Sequence, residues 1–234
     1  MIHRRTLIAL AASATLLAAA PTHAQSDWKP VRPVKLLVGF APGGSADTLA
    51  RLIAEPLSQK LGQPVVVDNV PGAGGNIMAG RLATSAADGY TLGIGAAGSM
   101  AITFELNPKA TPYKPESFTP VTMLATQPNV VIVNMSVPAN NIGELKDYIA
   151  RTPSASYGIA GIGISNHLIA EAMLARMGVK MAAVPYKGAA PVITDLLGGH
   201  IAMTMDNITT AAQLAKEGKV KALGVTTAKR APQL

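Results

Sequence analysis

The residues best suited to chemistry in this sequence are glycines, through their backbone N–H groups. Ala41-Pro42-Gly43-Gly44-Ser45 follows an apolar run, Val34 to Phe40. It precedes a stretch in which Leu49, Leu52, Ile53, Leu57 and Leu61 recur at helical spacing. A strand, a glycine turn and a helix start leave unpaired N–H groups aimed at one spot with the helix dipole behind them, which favours an anion. Ser45 is placed to cap that helix. A plain strand-to-helix turn that binds nothing has the same sequence, and these residues alone do not separate the two. The pattern recurs later. Ser156 to Ala160 reads as a strand, Gly161-Ile162-Gly163-Ile164-Ser165 as a glycine turn, and Asn166 through Met177 as a helix. If both turns face one cleft, residues 41–47 and 158–166 form a site for a small carboxylate that needs no arginine.

Other chemistries have little to stand on. Gly93-Ile94-Gly95-Ala96-Ala97-Gly98 fits the dinucleotide pattern, but its helix would run into Pro108, Pro112 and Pro115. His167 and His200 are far apart, with no carboxylate spacing beside either, so no metal site is implied. His167 reads instead as a packing or hydrogen-bonding residue at a helix start. Ser165 lacks the glycine two residues on that a nucleophile elbow needs, and no general acid–base pair stands out. The chain has no cysteine, which removes disulfides, thiolate ligands and thiol nucleophiles. No enzyme activity and no cofactor are expected.

The elements that must hold the two turns follow from patterning. Arg4-Arg5, an apolar run from Leu7 to Ala20 and Thr22-His23-Ala24 make residues 1–24 a cleavable secretory signal, too short an apolar run to span a membrane. Arg4-Arg5 also fits a twin-arginine signal. The formal charge of +7 loses those two arginines and becomes +5. Basic residues bunch late (Lys216, Lys219, Lys221, Lys229, Arg230) without interleaved aromatics, so nucleic-acid binding is not expected. Beyond the first helix, strands are expected at Val65–Asn69, Tyr90–Ile94, Asn129–Asn134, His200–Met205 and Val220–Thr226. Helices are expected through Met78 to Ala83, Ile142–Arg151 capped by Asn141, Ala190–Leu197 and Thr209–Glu217. Strand–helix alternation predicts an α/β fold with a largely parallel sheet. The prolines at 108, 112, 115 and 120 mark an irregular connection between two similar lobes.

Several strings together resemble one family. Phe40-Ala-Pro-Gly-Gly-Ser-Ala-Asp-Thr-Leu-Ala-Arg51, Val67-Asp-Asn-Val-Pro-Gly-Ala-Gly-Gly-Asn76, Ala87-Asp-Gly-Tyr-Thr-Leu92 and Tyr157-Gly-Ile-Ala-Gly-Ile-Gly-Ile-Ser-Asn-His-Leu168 are similar to motifs of the Bug family. So are Val184-Pro-Tyr-Lys-Gly188, Asp195-Leu-Leu-Gly-Gly199 and the stretch Lys219 to Arg230. These are periplasmic substrate-binding proteins of tripartite tricarboxylate transporters. The resemblance implies a two-lobed type II periplasmic-binding-protein fold with the ligand between lobes. Residues 25–122 would form the first lobe, 123–220 the second, and 221–234 would return to the first. It also implies a periplasmic monomer that gives a small carboxylate to transporter membrane subunits. A ligand-sensing module for a sensor kinase shares the same site and stays open.

By position, Ala41, Pro42, Gly43, Gly44 and Ser45 would form one jaw, and Gly158, Ile159, Gly161, Gly163, Ile164 and Ser165 the other. Asp47, Asn76, Ser99 and Asp206 are further candidates, although an acid at 47 is also favoured by the helix dipole alone. Two departures carry expectations. Ile159 and Ile164 stand where the family usually has hydroxyl residues. This points to a monocarboxylate with an apolar body, its acid group on the 41–45 jaw, unless both isoleucines pack into the lobe's core. The sequence also stops before the family's proline-rich motif and C-terminal helices. The fold is therefore expected to be incomplete at its C-terminus and to bind ligand weakly.

Overall fold

The computed structural model describes residues 28–109 and 111–234; the signal segment expected at 1–24 lies outside the described residues. Val34–Val38 (β1) is the buried middle strand of a three-stranded parallel sheet. Val65–Asn69 (β2) and Thr91–Ile94 (β3) flank it. The helix Ser45–Leu61 (α1) runs through Pro56 and ends on Gly62 in the left-handed region, a conformation glycine takes without Cβ strain. Ala50 and Ala54 of α1 pack on Val34, Leu36, Val38, Val65 and Ile94. Each large aliphatic side chain so buried contributes about 1.5–3 kcal/mol.

A turn at Ala73–Gly75 leads into Asn76–Ala83 (α2). After β3 comes an element absent from the sequence expectation. A π-type turn, Gly98–Ile102, continues into Thr103–Leu106 (α3) and ends just before the prolines. Tyr113 fastens this region. It is buried edge-on between Phe104 and Phe118, and its hydroxyl donates to Asn76 Oδ1 and pairs with the Ser99 carbonyl, both at 2.9 Å. Residues 118–128 then cross irregularly and mostly exposed to the second lobe.

That lobe is a five-stranded sheet in the order β6-β5-β7-β4-β8. Its elements are Asn129–Asn134 (β4), Ile142–Arg151 (α4), Ser156–Ile159 (β5), Ser165–Met177 (α5), Ala182–Pro185 (β6), Ala189–Leu197 (α6), Met203–Asn207 (β7), Ile208–Lys216 (α7) and Val220–Val225 (β8). The Asn141 side chain accepts from Glu144 N–H and starts α4. β5 runs parallel to β6 and β7, whereas β4 is antiparallel to β7 and β8. Alternation along β4 divides the lobe into two cores. Val131 and Val133 face α4 and α5 with Leu145, Ile149, Ala170 and Leu174. Val130 and Ile132 face α6 and α7 with Val192, Leu196 and Ala211.

One boundary needs correcting. Residues 221–234 do not return to the first lobe. β8 pairs with β4 over Val130–Asn134, Thr226 N–H donates to the Asn129 carbonyl, and Ala231 packs into the α6–α7 core. The ladder already open on that side of β4 captures the strand as it leaves α7.

Candidate functional site

The first jaw is built by Asp47 from below. Its carboxylate is buried, accepts the Gly43 N–H (2.9 Å) and the Asn69 amide (3.0 Å), and pairs with Arg51 (3.0 Å). Burial alone would raise its pKa. The hydrogen bonds from Arg51, Gly43 and Asn69, with the Arg51 charge, outweigh that and hold it below the usual carboxylate range. Asn69 also donates to the Phe40 carbonyl, so Asp47 and Asn69 together fix the path of residues 40–43. Asp47 thus spends its oxygens inside the first lobe. Asp47→Asn keeps one acceptor for Gly43 but loses the ion pair and sets an amide against the Asn69 amide. It is expected to cost about 1–2 kcal/mol in chemical denaturation.

Ser45 does not cap α1; Gly44 holds that position, with extended backbone and no side-chain cap. The Ser45 hydroxyl instead accepts from the Asn207 amide of the other lobe. Along the same line the Ala41 N–H donates to the Lys187 carbonyl (3.4 Å), and Gly44 faces Ala189. The partner of the first jaw is therefore the turn before α6 with the start of α7, not residues 158–165.

Those residues meet a different part of the first lobe. A Cβ built on Gly161 would lie 2.9 Å from Gly74 Cα and 3.1 Å from Gly74 N. Ile164 is buried, and its Cγ2 crowds the Cβ positions of Gly74 (2.9 Å) and Gly98 (3.1 Å). Gly163 has φ +77, faces Leu106 of the first lobe and donates its N–H to His167 Nδ1 (3.1 Å), the hydrogen-bonding part expected of that histidine. Ser165 begins α5 and bonds Asn166.

Two candidates fall out of the cleft. Ile159 lies 3% exposed in the core under α4 and α5. Gly158 is glycine because a Cβ there would strike Ile201 and Val192 of its own lobe, at 2.5 and 2.6 Å. Strand alternation turns both away from the interface, so only Ile164 of the isoleucine pair can bear on a ligand. Asn76 and Ser99 lie behind the first lobe's surface. The Asn76 amide donates to Thr103 Oγ1 (2.9 Å), and the Ser99 hydroxyl is turned to the Ala96 carbonyl (3.4 Å).

Asp206 is different. It is the penultimate residue of β7, just before Asn207, is 3% exposed, and one oxygen accepts the Asn207 N–H (2.8 Å) while the other has no partner. Burial pushes its pKa up to about 6, which the Asn207 N–H only partly opposes.

Three helix N-termini thus meet at the first jaw, α1 at Ser45, α6 at Ala189 and α7 at Ile208, while α5 at Ser165 opens beside the separate contact with Gly74 and Gly98. Their positive dipole ends suit an anion held between the lobes. The Lys187-Gly188 turn, between β6 and α6, is one more strand–glycine–helix junction, and the signal in the sequence is Gly188 just before the helix expected at Ala190–Leu197. Asn207 carried no signal beyond that of a residue opening a helix.

The family model described as tripartite tricarboxylate transporter family receptor matches residues 49–234. The chain belongs to that family. BugT of Bordetella pertussis is 37% identical over 220 residues, 93% of this chain and 67% of that protein. Among solved structures, an R. palustris protein with adipate is 41% identical with a TM-score of 0.83, covering 89% of this chain and 70% of that one. MatC from Rhodopseudomonas palustris with bound malate is 34% identical with a TM-score of 0.82, covering 87% and 69%. The chain spans about two thirds of the length of these relatives. The family is one of solute-binding proteins, and the fold is their two-lobed α/β architecture. Among the described residues, no helix is long and apolar enough to cross a membrane.

Proposed function

We propose that this receptor is a periplasmic solute-binding protein that captures a small organic carboxylate between its lobes and presents it to the membrane subunits of a tripartite transporter. The observation that carries this reading is the convergence of three helix N-termini, those of α1, α6 and α7, on the line where residues 41–45 meet residues 187–190 and Asn207. Relatives solved with adipate and malate support the same ligand class. The carboxylate is taken to lie along the 41–45 jaw, with Asp206 beside it as an acid that is neutral below about pH 6 and can then donate its O–H to the ligand. A thermal-shift screen tests this, with adipate, malate, succinate, citrate and benzoate set against NAD and spermidine. At ten times its Kd a true ligand adds about 1.4 kcal/mol, a rise of roughly 3–6 °C in a protein of this size. Stabilisation by NAD or spermidine with no response to any acid would remove the proposal.

A further inference from the structure

Ile164 reaches across the cleft as an apolar knob. It belongs to the second lobe, where it opens α5 with an extended backbone and its carbonyl accepts the Leu168 N–H at 3.1 Å. Its Cγ2 nonetheless packs on the first lobe, in a socket that exists because residues 74 and 98 have no side chain. At Gly98 the approach is closer still to backbone. A Cβ there would also lie 3.2 Å from Ile164 Cα. Beside it Gly161 and Gly74 touch main chain to main chain, so no layer of solvent or ligand separates the lobes at this end. The 41–45 line is different in kind, since it is joined by polar contacts such as the Asn207–Ser45 bond.

We propose that Ile164, seated between Gly74 and Gly98, both latches the closed form and stops one end of the cleft, so that it sets the longest acid the site can hold. The proposal rests on the carboxylate reading for its second half only. A bound acid lies between the polar line and the knob, and a chain long enough to reach Gly98 must displace the isoleucine. Shortening Ile164 to alanine removes three side-chain carbons, so the longest accepted acid should grow by about two or three carbons, each well-filled methylene being worth 10-fold or more.

The test uses the whole chain, whose lack of cysteine makes a clean reporter available. A Cβ at Gly44 lies 3.7 Å from Ala189 Cβ, within the disulfide range of about 3.5–4.5 Å. In ligand-free Gly44→Cys/Ala189→Cys protein, oxidation reports closure. Adding Ile164→Ala should slow crosslinking by at least about tenfold, since emptying a buried aliphatic contact weakens a closed state by more than one factor of ten. Separately, chains with native residues 44 and 189, with and without Ile164→Ala, are titrated with straight-chain acids of increasing length. The variant should bind acids two or three carbons longer about tenfold more tightly than the parent does. Unchanged crosslinking overturns the latch. Slower crosslinking with equal weakening of every acid overturns the length limit. If the parent binds no acid, the carboxylate reading and the length limit fall together, while the crosslinking result still decides the latch.

Discussion

Gly161→Ala is expected to weaken ligand binding by about 10- to 100-fold while leaving the second lobe folded. The added methyl would sit 2.9 Å from Gly74 Cα, a distance that real Cβ contacts essentially never show. What it meets is backbone of the opposite lobe, which has no rotamer to yield. Ile162 O and Ile164 Cγ2 of the same second-lobe turn also crowd Gly74, so the contact between the lobes is already tight around the added methyl. Overpacking of this kind costs about 1–3 kcal/mol, and each 1.4 kcal/mol is tenfold in affinity. The clash with Gly74 falls on the closed state alone, beside a backbone strain within the second lobe because residue 161 sits at φ +157, which L side chains rarely adopt. Within its own lobe the methyl meets Ile164 Cγ2 at 3.6 Å, an ordinary contact. Gly178→Ala is the control. It lies at φ +70 with nothing within 4 Å, so it should lose about 1 kcal/mol of stability and no affinity. Isothermal titration of both variants with any acid that stabilises the parent decides the point. Equal affinities for Gly161→Ala and the parent would show that binding does not need the turns at 74 and 161 to touch.

Much of the fold was legible because apolar runs and glycine turns alternate so regularly. β2, β4 and α4 fall where their runs of Val, Ile and Leu put them. Three failures have physical causes. The segment Gly98–Leu106 was passed over because of the prolines beyond it. Yet the first lies at 108, and a π-type turn lets a short helix finish in time. β7 begins at Met203 rather than His200, since the N–H groups of His200 and Ile201 are still turned back to the Asp195 carbonyl at the end of α6. β8 stays in the second lobe because pairing with β4 satisfies its backbone, and strand pairing partners are not written in a single run of residues. The site was legible by type more than by partnership. Glycine turns at helix starts were readable one at a time. That residues 41–45 meet Lys187 and Asn207, while Gly161 and Ile164 meet Gly74 and Gly98, depends on how the two lobes are joined by their crossing, which local patterning does not encode.

Asp206→Asn is expected to stabilise the protein at pH 8 relative to the parent by about 3 kcal/mol more than at pH 4. The Asp206 carboxyl has a folded-state pKa of about 6 against 3.8 for an ordinary aspartate. A pKa raised by folding means that the native state holds more protons between those values. Its stabilising share is therefore complete below pH 4 and lost as pH rises through 6. About two units at 1.36 kcal/mol each give roughly 3 kcal/mol, or about 6–12 °C in Tm for a chain of this length. Asparagine cannot ionise, and it retains an oxygen for the Asn207 N–H that Asp206 now accepts. Its amide takes the place of the oxygen that has no partner, so any fixed cost of burying it is the same at both pH values and cancels from the difference. Thermal melts of both proteins from pH 4 to 8 give the comparison, and a constant gap between them would mean that Asp206 titrates as an ordinary carboxyl. Ligand binding should follow the same proton. A neutral Asp206 can donate to a carboxylate, whereas an ionised one repels it, so the parent's affinity for acids should fall above pH 6. The asparagine amide donates at every pH, and its variant should bind with little pH dependence over the same range.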